Sequence, residues 1–313
     1  MRDQRGVALI VVLLVLALLA VVVTESAYSA RLEASMVAAY RDGVVARHLA
    51  EAGVHQAIRE ILSQAQVIAV DGDGALAFYR SLPGQTTPAR VPVLPRTRVP
   101  LGAGEFSYRI GDEAARLGLN GADTIRLDRL LKALDVDRPR RDVIADSLQD
   151  WRDANELHRA HGAESDFYLT LPVPYRARNA NVQDATELLQ VRGVTPELYF
   201  GADGRPGLGD LVTTATDGAV NLNTASPLVL KAYGLSDVEI ADVVQTRARA
   251  PYPTVPGRFA ARGFTVGSGT FRIEAEGLVG GVPRSWIVAV VRRGRPTGAL
   301  DLTIVSWRPG AQP

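Results

Sequence analysis

The chain has 313 residues, a net charge of +1 and no cysteine. This length accommodates two modest domains, the balanced charge excludes a general attraction to polyanions, and the lack of cysteine excludes disulfides, thiolate metal sites and cysteine nucleophiles. The apolar fraction of 47% with 6% aromatic residues is typical of a globular protein rather than a disordered one.

The N-terminus combines a short basic leader, Met1 to Gly6, with an uninterrupted apolar run from Val7 to Val23. As a helix the run would be ~26 Å long, which is near the lower limit of length for crossing a bilayer core of about 30 Å. It has three interpretations: a type IV prepilin-like signal cut between Gly6 and Val7, a plain signal anchor, or a secretory signal peptide cleaved near Ala27-Tyr28-Ser29. The six-residue leader ending in glycine and the helical pattern beyond the membrane favour the first.

The basic residues flanking the run predict its orientation. Arg2 and Arg5 lie on its N-terminal side, and positively charged flanks stay in the cytoplasm. The sequence therefore predicts a single-pass inner-membrane protein whose body lies outside the cytoplasm, which is the periplasm in a Gram-negative cell.

The helical pattern continues from the apolar run to about Gln66, so that residues 7–66 form one helix and residues 7–23 its transmembrane part. Beyond the membrane, apolar residues recur mostly every three or four positions, which predicts an apolar stripe suited to packing on a sheet. The stripe consists of Leu32, Met36, Ala39, Val44, Ala46, Leu49, Ala50, Val54, Ile58, Ile61 and Leu62.

Strand patterns occur on either side of a central helical block. Asp71 to Pro100 is rich in proline and glycine and is predicted to be a loop, whereas Glu105 to Ile110 alternates as a strand with Phe106, Tyr108 and Ile110 on one face. Thr270 to Trp307 predicts three further strands, with a turn at Gly280-Gly281 and a loop from Arg293 to Gly298.

The block between these strands is predicted to be helical. Its apolar spacing gives helices around Ile125–Leu134, Val143–Trp151, Glu187–Val191, Leu228–Tyr233 and Val238–Arg247. The predicted fold class is therefore α+β: a long N-terminal transmembrane and amphipathic helix packs on a small antiparallel sheet, formed by residues 67–120 and 266–313. Residues 121–265 form a large α-helical insertion, which a domain tolerates when the insertion's ends lie close together.

An acidic cluster follows the second of these helices. Asp150 and Asp153 share a helix face, Asn155 and Glu156 follow directly, and Glu164 and Asp166 come after a glycine-containing loop. Oxygen donors brought together in this way suit Ca²⁺, which takes six to eight oxygen ligands. The alternative is a solvated acidic helix end with salt bridges to nearby arginines.

Three polar residues follow the cluster. Tyr168 and Tyr175 are predicted to pack with a hydrogen-bonded tip at the domain surface. Asn179 could supply a carbonyl oxygen to a cation, although turn capping is the commoner role of such a residue.

Two segments resemble halves of a helix-hairpin-helix. They run from Glu187 to Thr195 and from Asn221 past Gly234 into the following helix. A glycine turn of this kind can present backbone N–H groups to a phosphate, so a membrane-anchored DNA-binding protein is an alternative function. The neutral net charge and scarce lysine favour simple packing.

The sequence offers little support for an enzyme. It contains no G-x-S-x-G, P-loop, G-x-G-x-x-G or HExxH motif. His158 and His161 lie in the loop between Glu156 and Glu164 and could be ligands, although surface positions are the simpler interpretation. We therefore predict that the protein is not an enzyme.

Taken together, the motifs resemble those of one family over essentially the whole chain: the K-type minor pseudopilins of type II (general) secretion systems. The resemblance rests on the motifs Arg5-Gly6-Val7-Ala8-Leu9-Ile10, Asp150-Trp151-x-Asp153 with Gly162-Ala163-Glu164 and Tyr168, Tyr175 and Asn179, Glu187-Leu188, and Val220-Asn221-Leu222-Asn223-Thr224-Ala225.

The resemblance implies specific processing and a metal. A prepilin peptidase would cut after Gly6 and the new N-terminus at Val7 would be methylated. Val11 stands where most pilin-like proteins carry glutamate, an exception that suits a tip subunit. The family's calcium site implies Ca²⁺ on the acidic cluster, with Asn155 standing where an acid is common. The candidate ligands are Asp150, Asp153, Asn155, Glu156, Glu164 and Asp166.

The resemblance also implies a structural function. The protein would lie at the tip of the periplasmic pseudopilus, initiate its assembly and support export of folded proteins across the outer membrane. Its expected partners are the I- and J-type minor pseudopilins, inner-membrane secretion assembly proteins and the prepilin peptidase, with no nucleic acid.

Overall fold

The computed structural model describes residues 4–294 and 302–310, except residues 64, 73, 82–83, 86 and 217. The first leader residues, Asp73 and Pro83 of the predicted loop, and residues 295–298 of the second predicted loop lie outside the described residues.

The chain begins with one long helix, α1 (Gln4–Ile61). Side chains from Ala46 to Ile61 are buried at intervals of three or four residues against the sheet. The predicted stripe is wrong for the first part of the helix, because Leu32 and Met36 remain 48% and 57% exposed. The main contacts of α1 are with β5 (Gly104–Asp112), β10 (Thr270–Val279) and β11 (Val282–Arg293).

The predicted antiparallel sheet is confirmed. Its order is β12-β11-β10-β5-β4, with β4 (Val99–Leu101) and β12 (Leu302–Pro309) at the edges. Phe106, Tyr108 and Ile110 of β5 are buried, as their alternation predicts. Gly277 of β10 allows α1 to approach closely, since a Cβ added there would overlap the backbone of Ala46.

The prediction of a loop from Asp71 to Pro100 is wrong. This stretch contains β2 (Leu76–Arg80) and β3 (Ala89–Arg90), which pair in the order β1-β2-β3 with β1 (Val67–Val70). Burial explains the strands, because Leu76 and Phe78 enter the same core as Ile61. Tertiary packing thus overrides a local composition rich in turn formers.

A second hydrophobic cluster runs from Leu117 to Phe264 and involves the helical block. This block also contains two short parallel strand pairs, β6 (Leu117–Gly118) with β7 (Val212–Thr213) and β8 (Val220–Asn221) with β9 (Phe264–Thr265). The glutamate-containing segment expected as an α-helix is a 3₁₀ helix, Ala185–Gln190. Three short helices, Ser165–Leu169, Pro196–Phe200 and Leu208–Leu211, are not predicted by the periodicity. The helices are α2 (Thr124–Ala133), α3 (Arg138–Arg152), α4 (Ser165–Leu169), α5 (Pro196–Phe200), α6 (Leu208–Leu211), α7 (Pro227–Ala232) and α8 (Asp237–Arg249).

A buried polar junction joins the helical block to the sheet. Asp112, at the end of β5, accepts hydrogen bonds from Asn221 Nδ2 at 2.9 Å and Thr224 Oγ1 at 2.7 Å. Burial raises the pKa of Asp112. The adjacent Glu113 accepts a hydrogen bond from Arg272 Nε of β10 at 2.7 Å. The Asn-x-Asn-Thr motif therefore connects two cores rather than forming a nucleic-acid contact.

Candidate metal centre

The C-terminal end of α3 positions the first two carboxylates. The helix begins after Asp137, whose side chain accepts from Arg140 N, and it ends at Asp153 as C-cap. Asp150 and Asp153 lie three residues apart and share a face. Trp151, between them, points into the core and is 2% exposed.

An aromatic cluster anchors the loop that brings the third carboxylate. Trp151 makes an edge-on contact with Tyr168 of α4 at 5.2 Å between ring centroids, and Tyr168 stacks on Tyr175 at 5.1 Å. Tyr168 is fully buried, so its predicted place at the surface is wrong: its ring fills the space between α3 and α4. Burial raises the pKa of Tyr168 to about 12. The hydroxyl of Tyr175 donates to the carbonyl of Gln190, as expected of a hydrogen-bonded tip.

The fold brings three of the predicted ligands together. One carboxylate oxygen each from Asp150, Asp153 and Glu164 lies within 4.8 Å of the other two. The exposed fraction is 0% for Asp150 and 1% for Glu164. Gly162 packs against Asp150 so closely that an added Cβ would overlap its carboxylate. The glycine thus allows the loop to close over the helix end.

The cluster brings three carboxylates close together, two of them fully buried. Both oxygens of Glu164 and Oδ1 of Asp150 are buried without a hydrogen bond from the described residues. Burial, followed by repulsion from Asp150 and Asp153, raises the pKa of Glu164 to about 7. Burial also raises the pKa of Asp150. Buried charges are costly unless they are paired or coordinate a metal.

These properties fit a hard divalent cation. The donors are carboxylate oxygens, which Ca²⁺ prefers, and two of them lie at a helix C-terminus, where the macrodipole favours positive charge. A cation held by Asp150, Asp153 and Glu164 would neutralise the oxygens that lack hydrogen-bond donors.

The other predicted ligands lie at the edge of this group. Asn155 donates from Nδ2 to Asp153 at 2.6 Å, while its Oδ1 accepts from Leu157 N. Glu156 accepts from the hydroxyl of Ser165 at 2.9 Å, which contributes to lowering its pKa. Both residues are exposed, and their side chains are engaged in the loop itself.

Asp166 makes a different contact. Its carboxylate pairs with His158 Nε2 at 2.9 Å and is 73% exposed. The hydrogen bond from His158 lowers the pKa of Asp166. Asp166 and Glu156 both fall outside the group whose oxygens lie within 4.8 Å of each other.

The sequence also offers Asn179 as a weaker candidate for a cation ligand. Its Nδ2 donates to Glu156 Oε1 at 2.8 Å, and its Oδ1 is buried without a donor among the described residues. Its φ of 50° places it in the left-handed region, which asparagine tolerates better than most residues. The amide oxygen is thus a further candidate donor beside Glu156.

The two hairpin segments are built into the helical core. A Cβ added at Gly193 would press on Ile144 of α3, and one added at Gly234 would press on Arg129 of α2. Both glycines have positive φ, 89° and 81°. The turns therefore serve close packing, and the DNA-binding alternative is not favoured.

The comparisons with known proteins agree with this architecture. Residues 113–201, which contain the acidic cluster, match the family model described as "Type II secretion system (T2SS), protein K". The type II secretion system protein K of Pectobacterium carotovorum is 32% identical over 63% of this chain. The chain is therefore similar to the protein K family of the type II secretion system. The match spans 60% of the length of the Pectobacterium protein.

Two more distant relatives extend the likeness. The protein K of Pseudomonas aeruginosa is 27% identical over 94% of this chain and 90% of its own length. A solved structure, the GspK-GspI-GspJ complex of enterotoxigenic Escherichia coli, matches with a TM-score of 0.60 at 18% identity. It covers 90% of this chain and 99% of the matched chain. This likeness supports the α+β pseudopilin fold inferred from the sequence.

The similarity to protein K and the apolar N-terminal helix together indicate a membrane-anchored minor pseudopilin. Among the described residues, one helix near the N-terminus, Ala8–Ile61, is long and apolar enough to cross a membrane. Side chains from Ala8 to Val37 are exposed throughout.

Proposed function

We propose that this protein lies at the tip of a periplasmic pseudopilus, where it initiates assembly together with I- and J-type minor pseudopilins and supports export of folded proteins. The prepilin peptidase and the inner-membrane assembly proteins of the secretion system are its further partners. The complex formed by the structural neighbour, which contains GspI and GspJ, supports the choice of partners.

The observation that carries the proposal is the placement of the helical block on the αβ unit. The block has its own core, from Leu117 to Phe264, and it is connected to the sheet through Asp112 and Glu113. A body enlarged in this way hinders stacking of another subunit above it, and a tip subunit needs no subunit above. Val11, in place of the usual glutamate, agrees with this position.

Processing at Gly6 tests the membrane part of the proposal. We expect the mature protein from its native membrane to begin with N-methylated Val7, as measured by mass spectrometry. The Gly6→Val and Val7→Lys variants should abolish secretion, whereas the conservative Val12→Leu change within the apolar run should not. An intact Met1, an N-terminus near Ala30, or normal secretion by Gly6→Val would contradict the proposal.

We further propose that Asp150, Asp153 and Glu164 hold a calcium ion, with Asn155, Glu156, Asp166 and Asn179 as neighbouring oxygen donors. The buried oxygens that lack donors support this assignment. When bound, the ion would supply the positive charge that connects the end of α3 to the loop before α4. The role of calcium is then structural stabilisation of the insertion.

Paired variants test the cation site. We expect calcium to raise the melting temperature of the detergent-solubilised wild-type protein, and the double change Asp150→Ala with Asp153→Ala to lower it much more when calcium is present than in chelator. Asp146→Asn is the matched control, because Asp146 lies on the same helix but pairs with His161. Equal losses in calcium and in chelator would refute the site.

A further inference from the structure

One arginine of the loop between α3 and α4 forms ion pairs with two of the candidate metal ligands. Nε of Arg159 is 3.3 Å from Asp150 Oδ1, and its Nη2 is 3.5 Å from Asp153 Oδ2. The backbone N–H of Arg159 also donates to Asp150 Oδ2 at 3.2 Å. A single residue therefore contacts both carboxylates at the end of α3.

The loop keeps Arg159 next to these carboxylates. Its carbonyl accepts a hydrogen bond from Gly162 N at 3.1 Å, and Gly162 itself packs on Asp150. The side chain of Arg159 is 46% exposed. Its backbone is thus fixed beside the site, while its guanidinium has an open path to solvent.

A guanidinium and a metal ion cannot share these carboxylates in this arrangement. The guanidinium is charged at all physiological pH values, and two cations a few ångströms apart repel each other strongly in a partly buried site. Oδ1 of Asp150 and Oδ2 of Asp153, which face Arg159, belong to two of the three carboxylates that would hold the cation. Glu164, by contrast, has no donor among the described residues and stays available to a cation.

We propose that Arg159 is a built-in counter-ion that competes with the divalent cation for Asp150 and Asp153. This inference rests on the calcium site proposed above. With Arg159 on the carboxylates, part of their charge is neutralised and the loop stays closed at low calcium. Binding of the ion displaces the guanidinium to solvent, so that Arg159 sets the calcium concentration at which the site fills.

The other charges around the site do not duplicate this role. His158 pairs with Asp166. Arg192 donates to the carbonyl of Gly162 at 3.1 Å and lies over the ring of Phe167. Arg176 is exposed and acts on Glu156 through its charge. Its ion-pair contacts within the described part of the chain include neither Asp150 nor Asp153, which makes it a matched control.

The test compares Arg159→Gln with Arg176→Gln in the full-length, detergent-solubilised protein stripped of divalent ions. Calcium binding is measured by isothermal titration calorimetry, and the melting temperature is measured in chelator. We expect Arg159→Gln to bind calcium roughly three- to tenfold more tightly than the wild type and to melt at a lower temperature in chelator. Arg176→Gln should change the affinity less than twofold.

The possible outcomes separate this inference from the calcium site itself. Calcium binding by the wild type with unchanged or weaker binding by Arg159→Gln would overturn the competition and leave the site intact. Binding by Arg159→Gln alone would support strong competition. Absence of calcium binding in the wild type and both variants at millimolar calcium would refute the site and the inference with it.

Discussion

The αβ unit and the helical insertion each bury a core of apolar side chains, but they do so by different means. In the αβ unit, α1 lies on long strands, and the buried residues repeat regularly along each element. In the insertion, short helices and loops meet around an aromatic cluster, and the loop before α4 buries the carboxylate of Glu164 without a hydrogen-bond donor from the described residues. We infer that the first region is stable by itself and the second depends on positive charge at one point.

The junction between the αβ unit and the insertion differs from both cores because it is polar. Asp112 and Glu113 are buried, and their partners come from the insertion and from β10. Although burial alone would raise the pKa of Glu113, the charges of Arg272 and Arg116 lower it overall. A polar junction constrains the relative orientation of the two regions more than an apolar junction does, because each hydrogen bond requires a particular geometry. The insertion is thereby held at a defined angle to the anchor helix.

The largest expected effect is in the αβ core. Phe271→Ala removes a fully buried ring of β10 that packs against Phe78 of β2 and should lower the free energy of unfolding by about 3–5 kcal/mol. The loss should be equal with calcium and with chelator, as measured by urea unfolding. Phe200→Ala, at a 66% exposed position, is the control. A calcium-dependent loss at Phe271 would show that the two regions do not differ as proposed.

Close packing of α1 on β10 provides a second test. Gly277→Ala places a methyl group against the backbone of Ala46 and should cost about 1–3 kcal/mol of folding free energy. Gly111→Ala is the matched change, since the nearest atoms to its added Cβ are 3.8 Å away. Thermal melts of the two variants should differ clearly, and equal melting temperatures would contradict the described contact.

The junction is expected to be next in size. Thr224→Val removes a hydroxyl donor from the buried Asp112 and should cost about 1–3 kcal/mol, the penalty for a buried acceptor that loses its donor. Hydrogen exchange should increase at the insertion's attachment more than within the sheet. Thr303→Val, on the exposed face of β12, should leave the exchange unchanged. Uniform exchange in both variants would argue against a directional junction.

The smallest expected effect is the pH dependence of the insertion in chelator. Glu164 keeps its proton up to about pH 7 in the folded protein, whereas the reference pKa is 4.5. The folded state thus binds more protons between these values, and stability falls as pH rises through them. Glu164→Gln should flatten the melting temperature over this range, and calcium should restore stability at high pH. An unchanged slope in Glu164→Gln would assign the effect to another group.

Much of the fold and part of the site could be predicted from the sequence. The alternation in β5 and in the C-terminal strands was sufficient for the antiparallel sheet, and the spacing of Asp150 and Asp153 placed both on one helix face. The strand Leu76–Arg80 escaped prediction because its proline- and glycine-rich surroundings hide a segment that becomes a strand through burial of Phe78. Tyr168 was expected at the surface because a sequence pattern does not show how deeply a short helix packs.

The sequence by itself determined the apolar N-terminal helix, the α+β order with its insertion, and the residue types of the candidate cation site, because these depend on local periodicity, composition and spacing. The tertiary structure alone decided which oxygens meet. Glu164 reaches Asp150 across a loop that closes only because Gly162 has no side chain, while Asp166 turns to His158. Distances between side chains far apart in the chain depend on how the loop packs against the aromatic cluster, and local sequence patterns do not carry that information.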